Sequence, residues 1–118
     1  MGVSAKKVFT CAYGGEKAVW LGDENGNLYR IDLTSGGVNK YRLPGIVSRI
    51  ENLLVTDAGV VYISMGGQGF YEYNLNSRSL RKLPVAAGKA TVTHSFVDKY
   101  DKLWFIVGNS GAVCYDPL

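Results

Sequence analysis

The sequence predicts an all-β fold built from repeated short-stranded units, and three observations predict it. The first is a period of 42 residues. Trp20, Tyr62 and Trp104 keep that spacing, as do Asp32, Asn74 and Asp116, and Val8, Ile50 and Val92. The second is what recurs. Val19-Trp20-Leu21 answers to Val61-Tyr62-Ile63 and Leu103-Trp104-Phe105, while Leu28-Tyr29-Arg30-Ile31-Asp32 answers to Phe70-Tyr71-Glu72-Tyr73-Asn74 and Ala112-Val113-Cys114-Tyr115-Asp116. The third is punctuation: 15 glycines stand mostly between short apolar runs, which suits tight turns and opposes long helices. A fixed period of roughly 40 to 50 residues carrying several short strands marks the blades of a β-propeller.

Each repeat divides into four strands. The first is expected over Val8 to Tyr13, Ile50 to Val55 and Val92 to Val97. Turns follow at Gly14 to Lys17, Thr56 to Gly59 and Asp98 to Lys102, where Asp and Gly tolerate the backbone angles a turn demands. The second strand is a continuous apolar run: Ala18 to Leu21, Val60 to Ile63 and Leu103 to Val107. Alternation is lost there because both faces of the strand are covered, as between neighbouring blades. Polar, glycine-bearing loops come next, and a third strand ends on Asp32, Asn74 or Asp116. The recurring Asp or Asn has a structural task, accepting the N–H groups of the turn that follows. Four-residue turns, Thr34 to Gly37 and Asn76 to Ser79, lead into a fourth strand over Val38 to Leu43 and Leu80 to Leu83. Its Lys40, Arg42, Arg81 and Lys82 are the charges an outermost strand uses against edge-to-edge pairing.

The domain reading is one partial propeller over 1–118, with blade 1 at about 8–43, blade 2 at about 50–83 and a partial blade 3 at about 92–118. Rings close with about four to eight blades, so the phase predicts a piece of a larger propeller or a unit that self-associates.

Composition narrows the function classes. Thirteen basic and 10 acidic side chains are evenly scattered, without the basic stripe that phosphate backbones require, so no nucleic-acid partner is expected. No apolar stretch reaches the roughly 18 residues of a membrane span, so this segment is not expected to insert. Cys11 and Cys114 occupy unrelated repeat positions and read as small buried hydrophobes, not a bridge.

The segments Val19-Trp20-Leu21-Gly22, Gly26-Asn27-Leu28-Tyr29-Arg30-Ile31-Asp32-Leu33-Thr34-Ser35-Gly36, Leu103-Trp104-Phe105 and Gly111-Ala112-Val113-Cys114-Tyr115-Asp116-Pro117 resemble two-component regulator propeller repeats. Those repeats run Leu-Trp-Ile-Gly-Thr, a glycine-rich loop, Leu-x-Arg-Phe/Tyr-Asp, then Pro-x-Thr-Gly. The sequence departs from them at Tyr62, at Asn74 and at the inserted Ile106-Val107. The resemblance implies part of the periplasmic sensor propeller of a bacterial hybrid histidine kinase: a ligand-sensing or interaction module, itself non-catalytic, with a glycan or other small molecule as ligand of the whole protein. Streptogramin-lyase-like propellers have a similar repeat, which keeps a propeller enzyme as the alternative. A purely structural interaction scaffold is the third reading.

Candidate contact residues are sought where the repeats differ. Loops joining second to third and fourth to first strands crowd one end of a propeller around its channel. Asp23, Glu24, Asn25, Arg49, Gln68, Lys89 and Asn109 fall on them. His94, the only histidine, lies in a first strand, and a channel ligand contact competes there with a structural hydrogen bond. One histidine excludes a multi-histidine metal cluster within the chain, and no cofactor is expected. Asp23 to Asn27 has calcium-loop spacing without the distal Glu and reads as a polar turn. Gly66-Gly67-Gln68-Gly69 lacks the Lys-Ser/Thr and the helix of a nucleotide loop. Tyr13 and Tyr100, beside the opposite turns, read as blade packing.

Overall fold

The computed structural model describes residues 9–45, 49–56, 59–65, 69–83, 92–107 and 111–117. These hold eleven strands and no helix. The first sheet runs in order through β1 (Phe9–Gly14), β2 (Ala18–Asp23), β3 (Asn27–Asp32) and β4 (Val38–Arg42). The second runs through β5 (Ile50–Val55), β6 (Val60–Met65), β7 (Gly69–Asn74) and β8 (Ser79–Lys82). The third holds β9 (Val92–Val97), β10 (Leu103–Val107) and β11 (Gly111–Tyr115). Every pairing is antiparallel. The first strands lie together, β5 packing beside both β1 and β9, so the sheets radiate from a common inner edge. They are three blades of a β-propeller fold, and Trp20, Tyr62 and Trp104 occupy equivalent second strands.

The core lies between blades. Directly paired residues on neighbouring strands share a face of the sheet, and that fixes which side chains meet which blade. Between blades 1 and 2, Trp20, Leu28 and Leu43 pack with Leu53, Val61, Ile63, Met65 and Tyr73. Tyr41 stacks on Trp20 at 6.0 Å and meets Tyr73 edge-on at 6.3 Å. Between blades 2 and 3, Leu54, Tyr62, Phe70 and Leu83 pack with Leu103, Phe105 and Val107, the Phe70 and Phe105 rings 4.7 Å apart. The middle blade therefore buries alternate residues of β6 on opposite sides, Val61 and Ile63 toward blade 1 and Tyr62 toward blade 3. This is why β6 reads as an unbroken apolar run.

The turn chemistry matches the repeat. Oδ1 of Asp32 accepts the N–H groups of Thr34 and Ser35 at 2.8 and 2.9 Å, and Oδ1 of Asn74 accepts those of Asn76 and Ser77 at 2.9 and 3.1 Å. One residue later both turns need a left-handed backbone. Blade 1 supplies Gly36 (φ 76°), while blade 2 places Arg78 there (φ 58°). Left-handed geometry disfavours any residue with a Cβ, but the guanidinium of Arg78 lies 5.2 Å above the Tyr41 ring of blade 1. That cation–π contact clasps the two blades on their outer side. Lys40, Arg42, Arg81 and Lys82 of the outermost strands are all exposed, as expected.

Three expectations need correction. The 42-residue register slips by one in β1: Tyr13 pairs with Trp20, whereas Leu54 and Phe96, equivalents of Ala12, pair with Tyr62 and Trp104. A one-residue slip exchanges the faces of a strand, so Tyr13 turns inward and packs against both cores. Tyr100 does not pack; it is 70% exposed at its turn, with the Lys99 ammonium 5.1 Å from its ring. Cys114 is exposed, because β11 carries it on the side of blade 3 away from blade 2, while Cys11 is half-buried; both thiols are free.

Candidate functional site

The β2–β3 loop is organised by Asp23, which is fully buried. Its Oδ1 accepts the N–H groups of Asn25 and Asn27, both at 2.9 Å. Its Oδ2 accepts the Asn27 side-chain amide at 3.0 Å and the Tyr29 hydroxyl at 3.2 Å. Burial pushes this carboxyl upward, but the four donors together outweigh burial and hold it below the usual aspartate range. Asp23 is thus turned inward as the brace of its loop. Glu24 and Asn25 stand exposed at the tip, Arg49 is exposed just before β5, and His94 is exposed on β9, paired with Ile106. The structure does not gather these side chains into one concave site. Gln68, Lys89 and Asn109, and Gly66-Gly67, lie outside the described residues.

A concavity formed by described residues lies at the other end, beside the turns joining first and second strands. A cleft of about 730 Å³ opens between blades 2 and 3, with Tyr13 of blade 1 reaching into it. Val55, Val60, Val97 and Leu103 supply apolar wall; Tyr13 and Tyr62 supply phenols; Glu72 and Asp101 supply carboxylates. The volume falls in the range of about 300–1,000 Å³ typical of small-molecule sites. Tyr62 is held neutral: burial, and then the Glu72 carboxylate and the Tyr115 phenol, push its hydroxyl up to about 12. Glu72 is also bridged at 3.3 Å by Arg81, whose guanidinium reaches the Tyr115 hydroxyl at 3.4 Å and so ties blade 2 to blade 3 at the cleft rim. The arrangement can accept hydrogen bonds at two carboxylates, offer them from two phenols, and stack a ring or a nonpolar face of a ligand.

The cleft lies at the opposite end of the blades from the loops that carry Glu24, Asn25 and Arg49. A usable signal was present: Glu72 stands where blade 1 has Arg30, beneath a Tyr where blade 1 has a Trp. Tyr13 gave none, since its inward turn depends on the slip of β1. Among the described residues no group of three or more His, Cys, Asp or Glu side chains could hold a metal ion.

Fold and cleft together define a propeller fold with a concave cleft between two of its blades. No protein-family model matches the chain, and no curated protein matches it. Solved structures do. One is the extracellular domain of a protein described as a hybrid two component system, BT3049 from B. thetaiotaomicron, with a TM-score of 0.75 at 17% identity over 92% of this chain. A second, the extracellular domain of BT4673 from the same organism, gives 0.66 at 18% over 92%. A streptogramin B lyase gives 0.68 at 13% over 98%. The chain spans 15% of the length of each extracellular domain and 43% of the lyase. At these identities the likeness establishes the fold. Among the described residues no helix is long and apolar enough to cross a membrane.

Proposed function

We propose that this chain is a recognition module of an extracytoplasmic sensor propeller, non-catalytic in itself, belonging to a two-component signalling protein. The observation that carries the reading is the likeness to two extracellular domains of hybrid two-component systems across 92% of the chain. The cleft between blades 2 and 3 suits the reading, because it combines phenols, carboxylates and apolar wall without a histidine or a nucleophile–base pair. Its ligand class is a small polyhydroxylated molecule such as an oligosaccharide: carboxylates take up hydroxyl donors, and tyrosine rings stack on the apolar faces of sugars.

The test is a titration of the protein with oligosaccharides of differing linkage, followed by NMR or calorimetry. Binding should perturb Tyr13, Tyr62 and Glu72, and Glu72→Ala or Tyr62→Ala should weaken it about tenfold or more. Saturation that leaves those residues untouched would defeat the cleft assignment.

The lyase likeness, which spans 98% of the chain, supports an enzyme as the second reading. It requires turnover of a streptogramin B that is lost in His94→Ala. Absence of turnover alongside oligosaccharide binding favours the sensor.

A further inference from the structure

Both blade interfaces within the chain use the same pair of faces. One blade contributes the side bearing Cys11, Tyr13 and Trp20, or Leu54 and Tyr62. The next contributes the side bearing Leu53, Val61 and Ile63, or Leu103 and Phe105. A polar contact accompanies each along the inner edge: the Thr10 hydroxyl donates to the Ile50 carbonyl, and the Ser95 hydroxyl donates to Asn52 Oδ1. The rule is directional, with a trailing face always meeting a leading face.

Carried one step in each direction, the rule picks out two surfaces. The trailing face of blade 3 bears Phe96 and Trp104, register mates of Leu54 and Tyr62, together with His94 at the position of Asn52. The leading face of blade 1 bears Val19 and Leu21, register mates of Val61 and Ile63, with Ile31 and Val38 beside them. Asp23, Asn27 and Tyr29, on the inner part of the blade 1 leading face, are buried, but over the outer part and over blade 3 burial separates the used faces from these. Leu54 is 2% exposed but Phe96 is 48%; Val61 and Ile63 are at most 1% exposed, whereas Val19 and Leu21 are only half-buried. Phe96 and Trp104 are already stacked, 6.3 Å apart and 11° from parallel, as a flat aromatic platform. Among the described residues no strand covers either surface.

We propose that a second copy of this chain docks head to tail, its blade 1 leading face on the Phe96–Trp104 face of blade 3. The interface continues the one already formed twice within the chain, and two different faces meet, so the contact is heterologous. His94 enters it at the place where Asn52 meets Ser95. This assignment makes His94 an inter-blade contact.

Sedimentation velocity across a concentration series tests the proposal. Wild-type protein should shift from 12.8 kDa to twice that mass or more as concentration rises. Phe96→Glu and Leu21→Glu should each remain monomeric with an unchanged β-type circular dichroism spectrum. Should Leu21→Glu fail to fold, Val38→Glu on the same face replaces it. Mixing the two monomeric variants should restore a 1:1 complex, because each keeps the face that the other has lost. A wild type that stays at 12.8 kDa, a Leu21→Glu protein that dimerises as wild type does, or a mixture that stays monomeric would each overturn the proposal.

Discussion

The indole Nε1 of Trp104 donates a 2.8 Å hydrogen bond to Oδ2 of Asp98, while Oδ1 of the same carboxylate accepts the N–H groups of Tyr100 and Lys102. One side chain thereby closes the β9–β10 turn and sets the plane in which the indole meets Phe96. Asp98→Ala should lower the thermal midpoint. Asp98→Asn should fall between, because its amide oxygen can still serve the turn but its NH₂ cannot accept from the indole. Circular dichroism melts of the three proteins should give that order, and coincident curves would show that the turn holds without the carboxylate.

Gly22 sits where blade 1 presses on blade 2. A Cβ there would lie 2.7 Å from Ile50 Cγ2 and 2.9 Å from both Cys11 Sγ and Ile50 Cβ. These neighbours are short or branched and held between sheets, so they have little room to yield. Gly22→Ala should cost about 1–3 kcal/mol in denaturant unfolding. A midpoint equal to wild type would mean that the interface can open by several tenths of an ångström without penalty.

Acid should destabilise the protein through three aspartates. Asp32 is held below its ordinary value first by the Ser35 and then by the Thr34 N–H. Asp98 is lowered first by the Trp104 indole, and Asp23 by its four donors against the opposing effect of burial. A carboxyl depressed in the folded state stabilises fully above its unfolded value near 3.8. That stabilisation drains as pH falls below this value toward the folded values. Urea midpoints should thus be flat from pH 7 to about 5 and fall steeply below about 4. Asp23→Asn should flatten part of the fall, and an unchanged slope in that variant would remove Asp23 from the account.

The two thiols should differ in reactivity. Burial pushes Cys11 up to about 11, against weaker opposing hydrogen bonds, whereas Cys114 is exposed on β11. Alkylation near neutral pH should label Cys114 within minutes and Cys11 only on unfolding, since the thiolate is the nucleophile. Mass spectrometry of peptides after a timed iodoacetamide pulse reads this directly. Equal labelling would show that the blade 1–blade 2 interface opens on that timescale.

Much of the architecture was legible because it rests on local chemistry repeated three times. Asp32 and Asn74 announce their turns wherever they stand, and the apolar run Val61 to Ile63 declares two covered faces, whereas Leu103 to Phe105 is covered on one face only. Register was not legible. The turn after β1 spends one residue fewer between its paired ends than those after β5 and β9, and no residue type in Gly14 to Lys17 discloses it. The cleft depends on that slip through Tyr13, so it too stayed hidden. Asp23 was misplaced for another reason. An aspartate in a polar loop reads as solvent-facing unless the donors that enclose it, here Asn27 and Tyr29, are seen folding back.

The slip of β1 bears on modular exchange. Repeats that share a period invite recombination by cutting at equal intervals, yet β1 joined at the 42-residue register to the β9–β10 turn would become a first strand whose faces are inverted. Ala12 and Tyr13 would then trade places relative to Phe96 and Val97. Crossovers placed within β2 to β4, where all the blades keep common pairing, would escape that penalty. Shuffling in this lineage, natural or in the laboratory, should therefore leave each first strand with the β1–β2, β5–β6 or β9–β10 turn that sets its phase.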